Sequence, residues 1–477
     1  MKLFKIKYGL PLAAMMLLGI GCDKRLDIEP KQSVDASTAI TTPEDVNSAV
    51  VGMYSIMAGG SLYGTDLFLN ADLQSGGTGA SSTNAGRYIT WSGTFTSFRQ
   101  VYRKEMNRDN AEASRMWIAG YQAINMANVV LENLGVVTDV DQKQQYEGEA
   151  LFVRGAMHFE LVRYYALPWG ATAGNSQPGI VIRTTAATNV EEASVSSPRN
   201  TVAEVYAQAI TDLEAAAAKL PEENGTRVTK YTALAMLSRL YLQQGNYAKA
   251  LDAANQVIES GYYKMNASVS AVFSNKNTAE SIWEIQQNDQ NNAGTSNDGM
   301  ATFYASLPGI GRADVRIPTG FVETYPANDL RRTEWFYVGT GARPGNTYTS
   351  KWKSFSQNLP VIRLAEMYLT RAECNIRLGS SVGDTPGNDL AKVQNSVRTN
   401  SVAPANPTLD DVLNARLLET AYEGLRIHDI KRLHQTVNVS INGSGELVPW
   451  DSDLLVFPIP QREVDATSGV ITQNPGY

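Results

Sequence analysis

Two cysteines and three histidines are few for a chain of 477 residues. Cys22 and Cys374 stand far apart with no CxxC, and His158, His428 and His434 do not cluster with them. That excludes a disulfide framework and a zinc site of cysteines and histidines. No metal or other cofactor is expected. Basic excess is lacking too: 41 Lys and Arg face 48 Asp and Glu, a formal charge of −7. Nucleic acid, which wants a basic face, is a poor match as main partner. Catalytic signatures are missing as well. No P-loop, strand–GxGxxG–helix unit or Gly-x-Ser-x-Gly elbow occurs. A glycosidase needs two carboxylates about 5–9 Å apart across a cleft, and no motif fixes such a pair. His158 falls inside an expected helix with no nucleophile nearby, which reads as a hydrogen-bonded structural histidine. The chain is not expected to be an enzyme.

Long apolar runs are scarce. Leu10 to Ile20 gives eleven residues, too short to span a bilayer, and no later segment is apolar enough to do so. Behind the basic Lys2, Lys5 and Lys7, that run has the length of a secretory h-region. It ends at Gly21-Cys22, and polarity then jumps with Asp23-Lys24-Arg25. A small residue directly before a cysteine at this point resembles a bacterial lipobox, which makes Cys22 the expected lipidation site. Residues 1–21 read as a signal peptide, 22–41 as a lipidated tether and 42–477 as the folded domain. Removing 1–21 takes away three lysines and no acid, so the formal charge moves from −7 to −10.

The body is rich in helical periodicity. From Val228 to Gly261, Ala233, Leu234, Leu237, Leu240 and Tyr241 stripe one helix, and Tyr247, Ala250, Leu251, Ala254, Val257 and Ile258 stripe a second. The turn between them falls at Gly245-Asn246. Leu237, Tyr241, Gly245, Tyr247 and Ala250 resemble the helical pair of a tetratricopeptide repeat. One pair cannot bury its own apolar face, so about four are expected, stacked as a scaffold. Thr42-Pro43-Glu44-Asp45 and Thr201 read as helix starts. Further helices are expected from Trp117, over Tyr146–Tyr165, from Asn358 through Glu373 and over about Asp389–Thr399. The fold class is mostly α, with an irregular, loop-rich lobe at about 61–100 and 266–357 that gathers on one face of the scaffold.

Those two regions carry the candidate ligand chemistry. Between Phe303 and Phe355 stand ten aromatics in 53 residues, about twice the chain average and without helical period. Neutral sugars are held by stacking on aromatic faces and by hydrogen bonds from amides and carboxylates. Asn70, Asp72, Tyr88 and Trp91 in the first region, with Trp335, Tyr337 and Trp352 in the second, supply that mixture. Trp91 and Trp335 are the leading stacking platforms, and Asn70 and Asp72 would take hydroxyls. Seven Lys and Arg against four acids in 303–355 also suit an anionic glycan or peptide carboxylates, and equally a solvated surface.

An ordered set of short motifs gives a family resemblance. After Cys22 come Leu26-Asp27-Ile28-Glu29-Pro30, Trp117…Tyr121…Ile124-Asn125…Asn128, Gly148-Glu149-Ala150 and Arg154-Gly155-Ala156. Pro360 through Glu373, Tyr422-Glu423-Gly424-Leu425-Arg426…Asp429, Pro458-Ile459-Pro460 and the closing Gln473-Asn474-Pro475-Gly476-Tyr477 follow. The set resembles SusD/RagB outer-membrane nutrient-binding lipoproteins, departing at Gly155 and Ala421. The resemblance implies a lipid-anchored protein on the outer face of the outer membrane. It implies capture of oligosaccharides and their transfer to a SusC-like TonB-dependent transporter barrel, with ligand loops in the two irregular regions. The alternative it carries is a RagB-like lid that binds oligopeptides.

Overall fold

The computed structural model describes residues 40–76, 88–441 and 444–477. The leader, Cys22 and all but the end of the tether lie outside the described residues. Thr42 opens α1 (Pro43–Ala58) through a capping box: its hydroxyl accepts from the Asp45 N–H, and the Asp45 carboxylate accepts back from the Thr42 N–H at 2.9 Å. α2 (Asp66–Ser75) and α3 (Thr96–Arg103) follow, with β1 (Thr90–Trp91) between them. The stretch expected to be irregular and loop-rich from 61 to 100 thus holds one helix and most of a second, and every residue of α2 is buried. A helix enclosed on all sides has no polar face, so DLFLNADLQS shows no amphipathic stripe.

α4 (Ala111–Asn133) starts six residues before Trp117, capped by Asn110, and α5 (Val140–Tyr165) starts six before Tyr146. α6 (Val202–Lys219) carries the expected Thr201 cap, here a full capping box with Glu204. α7 (Lys230–Gln243) and α8 (Tyr247–Glu259) form the tetratricopeptide-like hairpin, turning at Gly245 with φ 70°. Close approach of this pair shows in the buried Ser238 hydroxyl, which donates to the Ala250 carbonyl at 3.0 Å.

Beyond Gly261, β2 (Ser281–Ile285) is a short strand within the irregular region. β3 (Val315–Arg316), β4 (Phe336–Val338) and β5 (Thr347–Thr349) follow in the lobe. β6 (Leu359–Arg363) corrects the expectation of a helix from Asn358: it pairs antiparallel with β2, and α9 (Leu364–Leu378) begins only after it. Pro360 and β-branched Val361 and Ile362 suit extended backbone there. α10 (Pro386–Val393) is shorter than the 389–399 expectation. α11 (Leu409–Glu419) and α12 (Arg426–Arg432) are separated by Tyr422 and Gly424, both at positive φ, and the hairpin β7 (Val437–Ile441) and β8 (Ser444–Val448) follows.

The helices pack as four pairs, α1/α4, α5/α6, α7/α8 and α9/α10, each against the next, and α11 covers α9. Gly155, a departure from the family pattern, sits where α5 meets α6. A Cβ there would lie 2.9 Å from Asp212 Cβ and 3.0 Å from the Ala209 carbonyl oxygen. On the same seam the Arg154 guanidinium forks onto Asp212 at 2.9 and 2.7 Å. The two irregular regions do meet on the scaffold: β1 pairs with β3, and the Gly299 N–H donates to Thr65 at 2.7 Å. Among the described residues, no helix is long and apolar enough to cross a membrane.

Candidate ligand-binding site

The lobe is fixed to the scaffold by a buried, charge-balanced network. Four cations, Arg331, Lys351, Arg363 and Arg398, face four carboxylates, Glu280, Asp329, Glu419 and Glu423. Arg363 at the end of β6 reaches Glu280 at 2.6 Å, Glu419 at 3.1 Å and Glu423 at 2.8 Å. Burial alone would raise the Glu419 pKa, but Arg398, Arg363 and Arg331 hold it well below the ordinary value. Several motif residues that carry the family resemblance are therefore structural ions.

The expected site residues turn out to be lobe core in most cases. Trp352 is 0% exposed, and its indole N–H donates to the Tyr422 carbonyl at 2.8 Å. Trp335 is 1% exposed. Its N–H donates to Val269 O at 2.8 Å, and the Lys351 ammonium stands 3.9 Å from its ring centre. A cation on the ring face takes the place that a sugar would need. Trp91, 7% exposed, packs on Phe98 and Phe303 at 5.6 and 6.0 Å. None of the three offers an open stacking face, because the lobe has few regular elements and its aromatics serve as its core. Tyr88 is buried and stacked on Tyr422 at 5.0 Å.

Asn70 and Asp72 lie in the enclosed helix α2 and do not reach the surface. Asp72 accepts from the Tyr304 hydroxyl at 2.5 Å and from Tyr88 at 3.4 Å, while burial, the larger effect, pushes its pKa up to about 7. The structure thus brings Asp72 and Tyr88 together, but around Tyr304 and Tyr422 and not around a cleft. Tyr337 is the expected residue that remains half-buried. Its hydroxyl accepts from the Ser306 N–H at 2.8 Å, and the Lys353 ammonium lies 5.0 Å from its ring centre.

Beside this pair the lobe opens into a cleft of about 650 Å³. It is lined by Asn275, Lys276, Glu334, Lys353, Gln357 and five serines, together with the largely buried rings of Phe273 and Trp335. Some of these groups are already fixed: Ser270 donates to Glu334 at 2.7 Å, and the Gln357 amide donates to Lys351 O at 2.6 Å. Lys353 is exposed and has no carboxylate in ion-pair range among the described residues. The cleft therefore presents hydroxyls, amides and ammonium groups beside two largely buried aromatic rings, a surface for hydrogen-bonding a polyhydroxylated or amide-rich ligand. Sequence reasoning missed these lining residues because Ser, Asn and Lys carry no periodic or motif signal; only their place in the irregular region 266–357 pointed there.

A larger cleft of about 770 Å³ lies on the scaffold beside Trp117, Tyr121 and Asn125. Its motif side chains are committed to the protein itself. Tyr121 donates to Val181 O at 2.7 Å, and the Asn125 amide clasps the Ala187 backbone at 3.0 and 2.7 Å. His158 is buried in α5, accepts from the Arg183 N–H at 3.2 Å and is pushed down to about 4 by burial, a structural role. Among the described residues, no group of three His, Cys, Asp or Glu is placed to hold a metal ion.

Comparison with known proteins places this architecture. A SusD-like family model described as "Starch-binding associating with outer membrane" matches residues 24–242, and a SusD family model matches 328–477. The chain is 25% identical to SusD-like protein P2 of Formosa agariphila, covering 99% of this chain and 100% of that one. A solved SusD superfamily protein from Bacteroides vulgatus superposes with a TM-score of 0.78 at 25% identity, covering 91% of this chain and 99% of that one. The surface glycan-binding protein A of Bacteroides thetaiotaomicron shares the fold, with a TM-score of 0.74 at 21% identity over 92% of this chain and 100% of that one.

Proposed function

Because this chain belongs to the SusD/RagB family, we propose that it captures oligosaccharides at the cell surface without cleaving them and passes them to a SusC-like TonB-dependent barrel. The observation that carries the ligand half of this reading is the lobe cleft, which is lined by hydroxyl, amide and ammonium groups beside Phe273 and Trp335. Glycan binding by the relative from B. thetaiotaomicron supports the choice of ligand class. We place Tyr337, Lys353, Asn275 and Gln357 at the ligand, with Trp335 beneath it. The same groups suit a peptide backbone, so the test must include peptides. Calorimetric screening of glycan and oligopeptide libraries, with chromatography of the mixtures, is expected to give glycan hits and no shortened products. Peptide hits alone would favour the RagB-like lid, and released sugars would make the protein an enzyme.

Attachment through acylated Cys22 belongs to the same proposal, and a 22–41 tether would let the domain swing over its barrel. Stable anchoring takes more than one acyl chain, which a lipobox cysteine provides. Cys22→Ala is expected to leave the outer-membrane fraction; retention there after washing without detergent would remove the anchor.

A further inference from the structure

Between α11 and α12 lies a second polar cleft, of about 200 Å³, whose walls include Asn414, Arg416, Arg426, Asp429, Arg432 and Gln435. Two of the three guanidiniums are fully used. Arg416 donates to Asp429 at 3.1 and 3.0 Å and to Glu366 at 3.3 Å. Arg432 donates to Asp429 at 2.7 Å and forks onto Glu373 at 2.6 and 2.9 Å. Arg426 is different. Half-buried at the start of α12, it has no hydrogen-bond acceptor and no carboxylate in ion-pair range among the described residues.

The charge count points the same way. The cleft's arginines belong to a wider ion network in which five cations (Arg239, Arg377, Arg416, Arg426 and Arg432) share three buried carboxylates, Glu366, Glu373 and Asp429; Arg239 and Arg377 do not line the cleft itself. The lobe-anchoring network of the same molecule balances four against four. Exposed Asp410 at the rim offsets only one of the two extra charges. Asn414 and Gln435 add neutral amides whose side chains are not engaged elsewhere among the described residues.

We propose that this cleft is an anion site that takes a single sulfate, phosphate or carboxylate group on the Arg426 guanidinium, with Asn414 and Gln435 as neutral donors. A planar guanidinium fork matches the paired oxygens of each of these groups. The cleft holds less than a third of the volume of the lobe cleft, which suits one charged group and not a sugar chain. The group arrives either as a free ion or as the charged substituent of a larger ligand.

The test is calorimetric titration of the purified chain with sodium sulfate and sodium phosphate at constant ionic strength, followed by glucose 6-sulfate. Saturable single-site binding is expected, weakened about tenfold or more in Arg426→Gln, since a charge-assisted bond is lost. Asp410→Asn removes a repelling carboxylate at the rim and is expected to tighten binding. Equal affinity for the inorganic ion and the sugar sulfate assigns the site to the free ion; tighter sugar sulfate binding assigns it to a substituent. Absence of saturable binding, or affinity unchanged in both variants, overturns the proposal.

Discussion

Glu419 takes three guanidiniums at once, Arg331 at 3.0 Å, Arg363 at 3.1 Å and Arg398 at 2.6 Å, and none of the four side chains meets solvent appreciably. Desolvating such ions is expensive, and the network is tolerable because every charge is matched. Asp429 shows the same logic: burial works against its charge, yet Arg416 and Arg432 bring it down to about 2. Depressed carboxyl pKa values stabilise the fold above the ordinary values of 4.5 and 3.8, and that stability is lost as pH falls toward the folded-state values. Glu419→Gln is expected to cost about 3–5 kcal/mol at pH 7, because it leaves buried arginines short of a partner. Urea unfolding at pH 7 and at pH 3 checks this: the gap between wild type and variant should narrow in acid. A gap independent of pH would contradict the ionised reading.

At the scale of elements, what was legible in the sequence depended on whether an element keeps a solvent face. α1, α6, α7 and α8 announce themselves by stripes, caps and the Gly245 turn, and they stand where the stripes put them. α2 was illegible because it is buried on every side, and β6 because its five residues run directly into α9. Trp335 and Trp352 were misjudged for a related reason: an aromatic in an aperiodic segment looks the same in sequence whether it faces a ligand or a core. The seam between α5 and α6 yields a prediction of its own. Gly155→Ala places a methyl group against Asp212 Cβ at 2.9 Å and the Ala209 carbonyl at 3.0 Å, so the helices must part. A loss of about 1–3 kcal/mol is expected in thermal or denaturant unfolding. An unchanged midpoint would mean that the seam yields without cost.

On the scale of the whole molecule, four helix pairs and a balanced ion network hold an irregular lobe whose open cleft is walled by short polar residues. Architecture and family were readable because they rest on repeats and ordered motifs. The cleft was not, since its walls converge from 270–276, 334–335 and 350–357 only after folding. That division makes the central claim a spatial one: ligand belongs to the lobe, and the scaffold carries it. Amide hydrogen exchange of the protein with and without the best ligand from the glycan and peptide screen tests this most directly. The account predicts slowed exchange in 270–276 and 350–357, with little change in the scaffold cleft around Trp117–Met126 and 183–193. Protection confined to that scaffold cleft, with the lobe unaffected, would contradict it.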